Sequence, residues 1–488
     1  MMKLRFAVAL IILLLGTLLE IASPAQTLDT LLSFNLTNGE FPTASPVQGA
    51  NGNFYGTTSG GGANGDGTVF EITPAGKLTT LYNFCALSGC VDGADVFAGL
   101  TLATDGYFYG VTAGGGDGAN CVYGGCGTVF KISPKRRLTS LYRFCLQSGC
   151  PDGNTPIGLV QATNGNLYGV TYYGGANGDS GTIFELTRDG KLTTLYSFCA
   201  QSGCIDGKYP DAGLIQGRDG KLYGTTSYGG NSNEGTVFQI TLSGKLTTLY
   251  SFCVQTGCAD GAQPEAGLVQ AADANFYGTT SFGGVSGYGG TVFRITRTGK
   301  LTTLYSFCSQ EPPYCTDGRF PLGALVQAAD ANFYGTTNGG GANAEGTIFK
   351  VSPNGQLSTL YSFCTEQDCI DGRLTYGGLL HGTDGKFYGT AYQGGADSDG
   401  TVFSLAAGLG PFVEMLPTSG TVGTNVTIFG NELSGTTRVA FDGTTADFKV
   451  VSNTEITTSV PLGASTGPLT VTAPNKKLKS NVVFRVVQ

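Results

Sequence analysis

From residue 27 to residue 406 the chain alternates short apolar runs with breaks rich in glycine and aspartate. In residues 211–252, AGLIQ, KLYGTT, GTVFQIT and KLTTLYSF follow one another, separated by Asp219-Gly220, a glycine-rich segment and Ser243-Gly244. Period-two alternation in runs rich in β-branched and aromatic residues predicts strands. Asp-Gly between two such runs predicts a tight hairpin, because its turn needs φ > 0 at successive positions. The pattern therefore reads as four antiparallel strands in about fifty residues.

That unit repeats. [FL]-Tyr-Gly recurs at Tyr55, Tyr109, Tyr168, Tyr223, Tyr277, Tyr334 and Tyr388, with gaps of 54, 59, 55, 54, 57 and 54 residues. Gly-Thr-[VI]-Phe also occurs seven times, from Phe70 to Phe403, and LTTLYSF-like runs end at seven phenylalanines from Phe34 to Phe363. The first of those runs, TLDTLLSF (27–34), precedes the first Tyr-Gly, and none follows the last Gly-Thr-Val-Phe. Strand counts balance if the N-terminal strand completes the last unit, which also removes an exposed sheet edge. The expected fold is all-β: a seven-bladed β-propeller of four-stranded blades, closed by its N-terminal strand. An open solenoid is the competing architecture; it calls for polar caps, and none is visible.

The repeat motifs LYSFC…DG…P.AGL, FYGTT..GG and GTVF.IT resemble the tandem GloVer repeat of bacterial "choice-of-anchor" exported proteins. That resemblance implies an exported protein with a C-terminal anchoring device, whereas this chain continues into a further domain. From about Pro411, short alternating runs carry Pro417, Gly420, Gly423, Thr424, Gly430, Pro461, Gly463, Gly467 and Pro474 in a pattern that resembles the IPT/TIG domain. This implies an immunoglobulin-like β-sandwich acting as spacer or contact module. The expected division is 1–25 signal peptide, 26–408 propeller and 409–488 sandwich.

The first 25 residues read as an export signal: Lys3 and Arg5, an apolar core from Phe6 to Leu19, then Ser23-Pro24-Ala25. The core spans 14 residues, short of the ~20 a membrane span needs. No further span is expected once the signal is removed, so a secreted, periplasmic or outer-surface location follows. Without Lys3, Arg5 and Glu20, 25 basic and 34 acidic residues leave a net charge of −9, which argues against nucleic acid as partner. Charged residues are only 13% of the chain and glycine supplies 79 of 488 positions, as strands and turns require.

All 14 cysteines fall into local pairs. Cys85/Cys90, Cys145/Cys150, Cys199/Cys204, Cys253/Cys258 and Cys364/Cys369 follow fourth strands, as does the longer Cys308/Cys315, while Cys121/Cys126 sits in a glycine-rich loop. Even count, local pairing and an export signal predict seven disulfides. Zinc would want four ligands per site, and the single histidine is His381. A six-residue ring stabilises by only about 2 kcal/mol, so each bridge is expected to shape its own loop. The first unit has FNLTNGEF (34–41) in place of a cysteine loop.

Strand order places the cysteine loops and the glycine-rich loops on one face, and tight turns such as Asn51-Gly52 and Asp189-Gly190 on the other. Elaborated loops on a rigid scaffold are where binding resides. Two candidate ligand sets lie on that face: the aromatics Tyr123, Tyr173, Tyr228, Phe282 and Tyr392, suited to stacking on sugars, and Asp92, Asp152, Asp206, Asp260, Asp317 and Asp371 after the cysteine loops. The aspartates make calcium the one cofactor left open, although Asp-Gly is also ordinary turn chemistry. No catalytic residue is assigned. His381 replaces Gln48, Leu102, Gln161, Gln216, Gln270 or Gln327 at a repeat position, and no nucleophile elbow or phosphate-cradling loop appears. The expected function is non-enzymatic binding of an extracellular glycan or protein. A polysaccharide-active hydrolase or lyase using loop-face carboxylates and a structural envelope protein are the alternatives.

Overall fold

The computed structural model describes residues 26–116, 126–310 and 314–487. Among them the repeat region forms seven four-stranded antiparallel sheets, a propeller-like all-β arrangement. In the fourth unit the strands Ile215–Gln216, Leu222–Thr226, Thr236–Ile240 and Leu246–Ser251 lie side by side in sequence order. The last unit is assembled differently: Leu28–Ser33 pairs antiparallel with Thr401–Leu405, Leu28 opposite Leu405 and Ser33 opposite Thr401. The Cys121–Cys126 pairing and Tyr123 involve positions outside the described residues.

The recurring motifs are the contacts that join one unit to the next. The phenylalanine ending each fourth strand meets the Gly-Thr-[VI]-Phe ring of the following unit edge to face. All seven such pairs, Phe34–Phe70 through Phe363–Phe403, have centroids 5.1–5.3 Å apart. Tyr223 stacks on Phe276 of the next unit at 4.0 Å, and Tyr388 of the last unit meets Phe54 of the first at 3.9 Å. These rings are almost wholly buried, and each contributes roughly 1.5–3 kcal/mol through burial. The glycine of Tyr-Gly is what lets the phenylalanine in. Gly224 pairs directly with Phe238, and a Cβ there would lie 2.7 Å from Phe238 Cζ. Gly224→Ala is therefore expected to cost about 1–3 kcal/mol through overpacking, read as a lower urea midpoint; an unchanged midpoint would contradict this packing.

Polar contacts follow the same logic. The glutamine that ends most first strands uses both ends of its amide. Gln216 Nε2 donates to Gly220 O of its own turn (2.9 Å), while its Oε1 accepts from Thr163 N of the preceding unit (2.9 Å). Gln161, Gln270 and Gln327 repeat the arrangement, and Gln48 makes it to Thr383 N, 335 residues away (3.0 Å). Leu102 and His381 break the pattern.

The first strands are shorter than AGLIQ predicts: they are two residues long in six units, against eight in Asn154–Gln161. The Ala-Gly positions before them come close to the backbone of neighbouring units instead. A Cβ on Gly378 would lie 2.3 Å from Ala324 O, and one on Gly377 2.7 Å from Ser45 N.

The C-terminal region folds into two sheets, one of four strands including Asn425–Phe429 and Glu455–Ser459, the other of five including Gly467–Ala473 and Lys476–Val486. Val426, Ile428, Phe441, Ile456, Leu469, Val471 and Phe484 fill the space around Val413 and Met415. This region rests on the tight-turn side of the repeats. Thr454 Oγ1 donates to Ala50 O (2.8 Å), Asn431 Nδ2 to Thr383 Oγ1 (2.8 Å), and Phe412 N to Thr383 O (3.1 Å). No helix among the described residues is long and apolar enough to cross a membrane.

Candidate functional site

The cysteine loops and the glycine-rich loops emerge together and bond to each other: Gly230 N donates to Cys204 O at 2.9 Å, and the same contact recurs in each unit with a cysteine loop. Bridges join Cys85–Cys90, Cys145–Cys150, Cys199–Cys204, Cys253–Cys258, Cys308–Cys315 and Cys364–Cys369. Both cysteines of each of these six bridges lie in the left-handed region, with φ of 58° and 53° at Cys199 and Cys204, a conformation unfavourable for a side-chain-bearing residue. In the first unit Asn35 Oδ1 closes the corresponding turn by accepting from Thr37 N and Asn38 N.

The aspartates after the bridges correct the idea that they present ligands to solvent. Asp206 is fully buried, accepts the Tyr196 hydroxyl (2.8 Å) on Oδ2, and takes Ala200 N (2.9 Å) and Gln201 N (3.1 Å) on its two oxygens. Asp92, Asp260, Asp317 and Asp371 are buried in the same way, and the half-buried Asp152 accepts from Tyr142 and Cys145 N. Their oxygens hold the cysteine loop to the fourth strand, which leaves calcium no open carboxylate there. Two groupings among the described residues have metal-ligand spacing, Cys126/Cys145/Cys150 and Asp66/Cys85/Cys90. Their bridged sulfurs are not the thiolates a metal needs.

His381 lies on the opposite side, at the contact with the C-terminal region. Its ring stacks on Phe387 (4.7 Å) and tilts against Phe412 (4.5 Å), with Nδ1 3.0 Å from Asn481 Nδ2. Burial pulls its pKa down to about 4, against smaller opposing pulls from Asp384 and Asp330. Between the ordinary histidine value of ~6.5 and the folded value, the unfolded chain takes a proton that the folded one refuses. Stability is therefore lost as pH falls through that window. The wild type is expected to lose ~3 kcal/mol relative to His381→Gln between pH 7 and pH 4. Parallel pH curves in urea unfolding would contradict it.

The elaborated face also holds a central funnel of about 660 Å³. Every unit contributes its residue from one repeat position, twelve before the Tyr-Gly tyrosine and eleven in the third unit: Thr43, Phe97, Ile157, Asp211, Glu265, Leu322 and Tyr376. Tyr172, Tyr173 and Tyr392 also line it, as do Ala98, Ala113, Thr155 and Pro156. Burial pushes the Asp211 carboxyl up to about 7, helped by repulsion from Glu265. Burial raises Glu265 as well, offset in part by the Ser281 hydroxyl. Near neutral pH the pair can both donate and accept hydrogen bonds.

Of the aromatic candidates, Tyr173 and Tyr392 line the funnel. Tyr228 and Phe282 do not; they lean on Tyr209 (6.1 Å) and Phe320 (5.2 Å). Tyr172 stacks on Tyr209 at 5.2 Å, and Tyr376 meets Tyr392 edge-on at 5.0 Å. Asp211, Glu265, Tyr172 and Tyr376 escaped the sequence reading. Reading the aligned units column by column finds all but Tyr172, since acids replace neutral residues at one position in only two neighbouring units.

The Gloeobacter/Verrucomicrobia repeat model matches residues 14–156, 119–315 and 258–447, and the IPT/TIG domain model matches 412–486. No curated protein sequence matches the chain. Among solved structures, a fungal alcohol oxidase of the AA5 family, in complex with copper, is similar at 13% identity and a TM-score of 0.51, covering 95% of this chain and 99% of its own. PorZ, a bacterial surface component of the type-IX secretion system of Porphyromonas gingivalis, aligns at 14% identity and 0.46, covering 94% and 61%. At such identities the likeness to the oxidase extends to fold alone.

Proposed function

Starting from a chain that belongs to the Gloeobacter/Verrucomicrobia repeat family and carries an IPT/TIG domain, we propose an exported, closed seven-bladed propeller that binds a glycan in its loop-face funnel. Closure is supported by three contacts between first and last units: the Leu28–Ser33 pairing, the Phe54–Tyr388 rings and the Gln48–Thr383 hydrogen bond. Export is supported by the disulfides, which persist in oxidising compartments. The observation that carries the glycan reading is the funnel itself, which tyrosines line together with two carboxylates able to bond sugar hydroxyls. The C-terminal region covers part of the other face, so the funnel mouth is the open approach.

Residues 26–488 tested against an immobilised saccharide panel are expected to bind at least one class. Tyr173→Ala and Tyr392→Ala should each weaken it about tenfold, the scale of one lost aromatic stacking contact. Binding of a protein ligand with no saccharide on the panel retained would overturn the glycan assignment. A second reading, hydrolysis or elimination on a polysaccharide, is favoured by Asp211, whose carboxyl sits near the operating pH beside a second acid. Product release that Asp211→Asn abolishes would select it over pure binding.

A further inference from the structure

Resting on the funnel as the ligand site, the charge inside it narrows the ligand class. Five of the seven equivalent positions are neutral, and the two acidic ones, Asp211 and Glu265, come from adjacent units. Among the described residues that line the funnel none is lysine, arginine or histidine. Among the described residues neither acid forms an ion pair, and the described lining brings no positive charge to the pair. Half-buried like charges without a counter-ion repel each other, and a cation between them relieves both.

The surroundings decide which cation fits. Calcium takes six to eight oxygen ligands, whereas this lining is mostly aromatic and aliphatic: Phe97, Ile157, Tyr172, Leu322, Tyr376 and Tyr392. An organic ammonium group is matched on both counts, since its charge meets carboxylates and its C–H and N–H surface meets π faces, which attract cations when desolvated. We infer that the funnel selects a saccharide bearing a free protonated amine, an amino sugar, over its neutral N-acylated counterpart. Tyrosine faces hold the sugar rings while Asp211 and Glu265 hold the ammonium.

A matched pair of ligands tests this without any mutation. Calorimetric titration of residues 26–488 at neutral pH with a glucosamine tetramer and an N-acetylglucosamine tetramer should show the free amine bound at least about tenfold more tightly. Asp211→Asn and Glu265→Gln should each erase most of that preference while the thermal midpoint holds, and calcium chloride alone should give no binding heat. Equal or tighter binding of the acetylated tetramer overturns the amine selectivity and leaves glycan binding standing. Binding of neither tetramer overturns it too. If other panel saccharides still bind, the glycan reading survives; if none does, both fall.

Discussion

Deleting residues 26–35 is expected to leave a protein that no longer unfolds as one cooperative unit and that aggregates. The deleted strand covers the hydrogen-bonding edge of Thr401–Leu405, which would otherwise stand open to pairing with another chain. It also carries Phe34, fully buried against Phe70 of the first unit, and its N–H donates to Gly400 O. Truncating a buried phenylalanine alone costs about 3–5 kcal/mol, so Phe34→Ala should reproduce much of the loss without removing the strand. Gel filtration and thermal unfolding of the truncated chain read the outcome. A synthetic peptide of residues 26–35 added in trans should restore monomeric behaviour. A truncated chain that stays monomeric with an unchanged midpoint would show that the first and last units do not depend on this strand.

Asp206→Ala is expected to destabilise the protein by about 2–4 kcal/mol, because it leaves the Tyr196 hydroxyl and two backbone N–H groups without their buried acceptor. Removing the neighbouring bridge, Cys199→Ala with Cys204→Ala, should cost only about 2 kcal/mol, the loop-closure value for so short a ring. The carboxylate outweighs the disulfide because it satisfies three donors at once from a fully buried position, while the bridge mainly restricts six residues in the unfolded chain. Both act on a loop whose two cysteines sit at positive φ, so the double loss should free it. Urea midpoints of the variants, each with calcium and with a chelator, check this. A urea midpoint that rises with calcium in the wild type and not in Asp206→Ala would restore the aspartates as metal ligands.

Much of the fold was legible because each motif meets its partner in the same or the adjacent unit. Tyr-Gly, Gly-Thr-[VI]-Phe and the fourth-strand phenylalanine interlock over one repeat length, so their spacing in the chain mirrors their contacts. The cysteine pairs lie close in sequence, and their bridges follow from local geometry. The first strands were overestimated because Ala-Gly reads as strand-compatible when neighbouring units are ignored, although those small residues are there to let backbones approach.

The aspartates show where local reading stops. Asp-Gly predicts a turn, but whether the carboxylate faces solvent or the Tyr196 hydroxyl depends on how the loop folds back over its own sheet. His381 was recognisable as an exception at a glutamine position; its burial against Phe412 and Asn481 comes from the C-terminal region packing on the repeats.

The sequence by itself determined the second, third and fourth strands of each unit, their repetition, six of the cysteine pairings and the separation of a plain face from an elaborated one, since all of these rest on periodicity and short-range chemistry. Only the tertiary structure decided that one residue from each unit, some fifty-five positions from the next, converges on a single funnel and sets Asp211 beside Glu265 among tyrosines. Proximity of that kind arises when the sheets are arranged around a common centre. No local pattern encodes it, because each residue contributes to the funnel only through the positions of the other six.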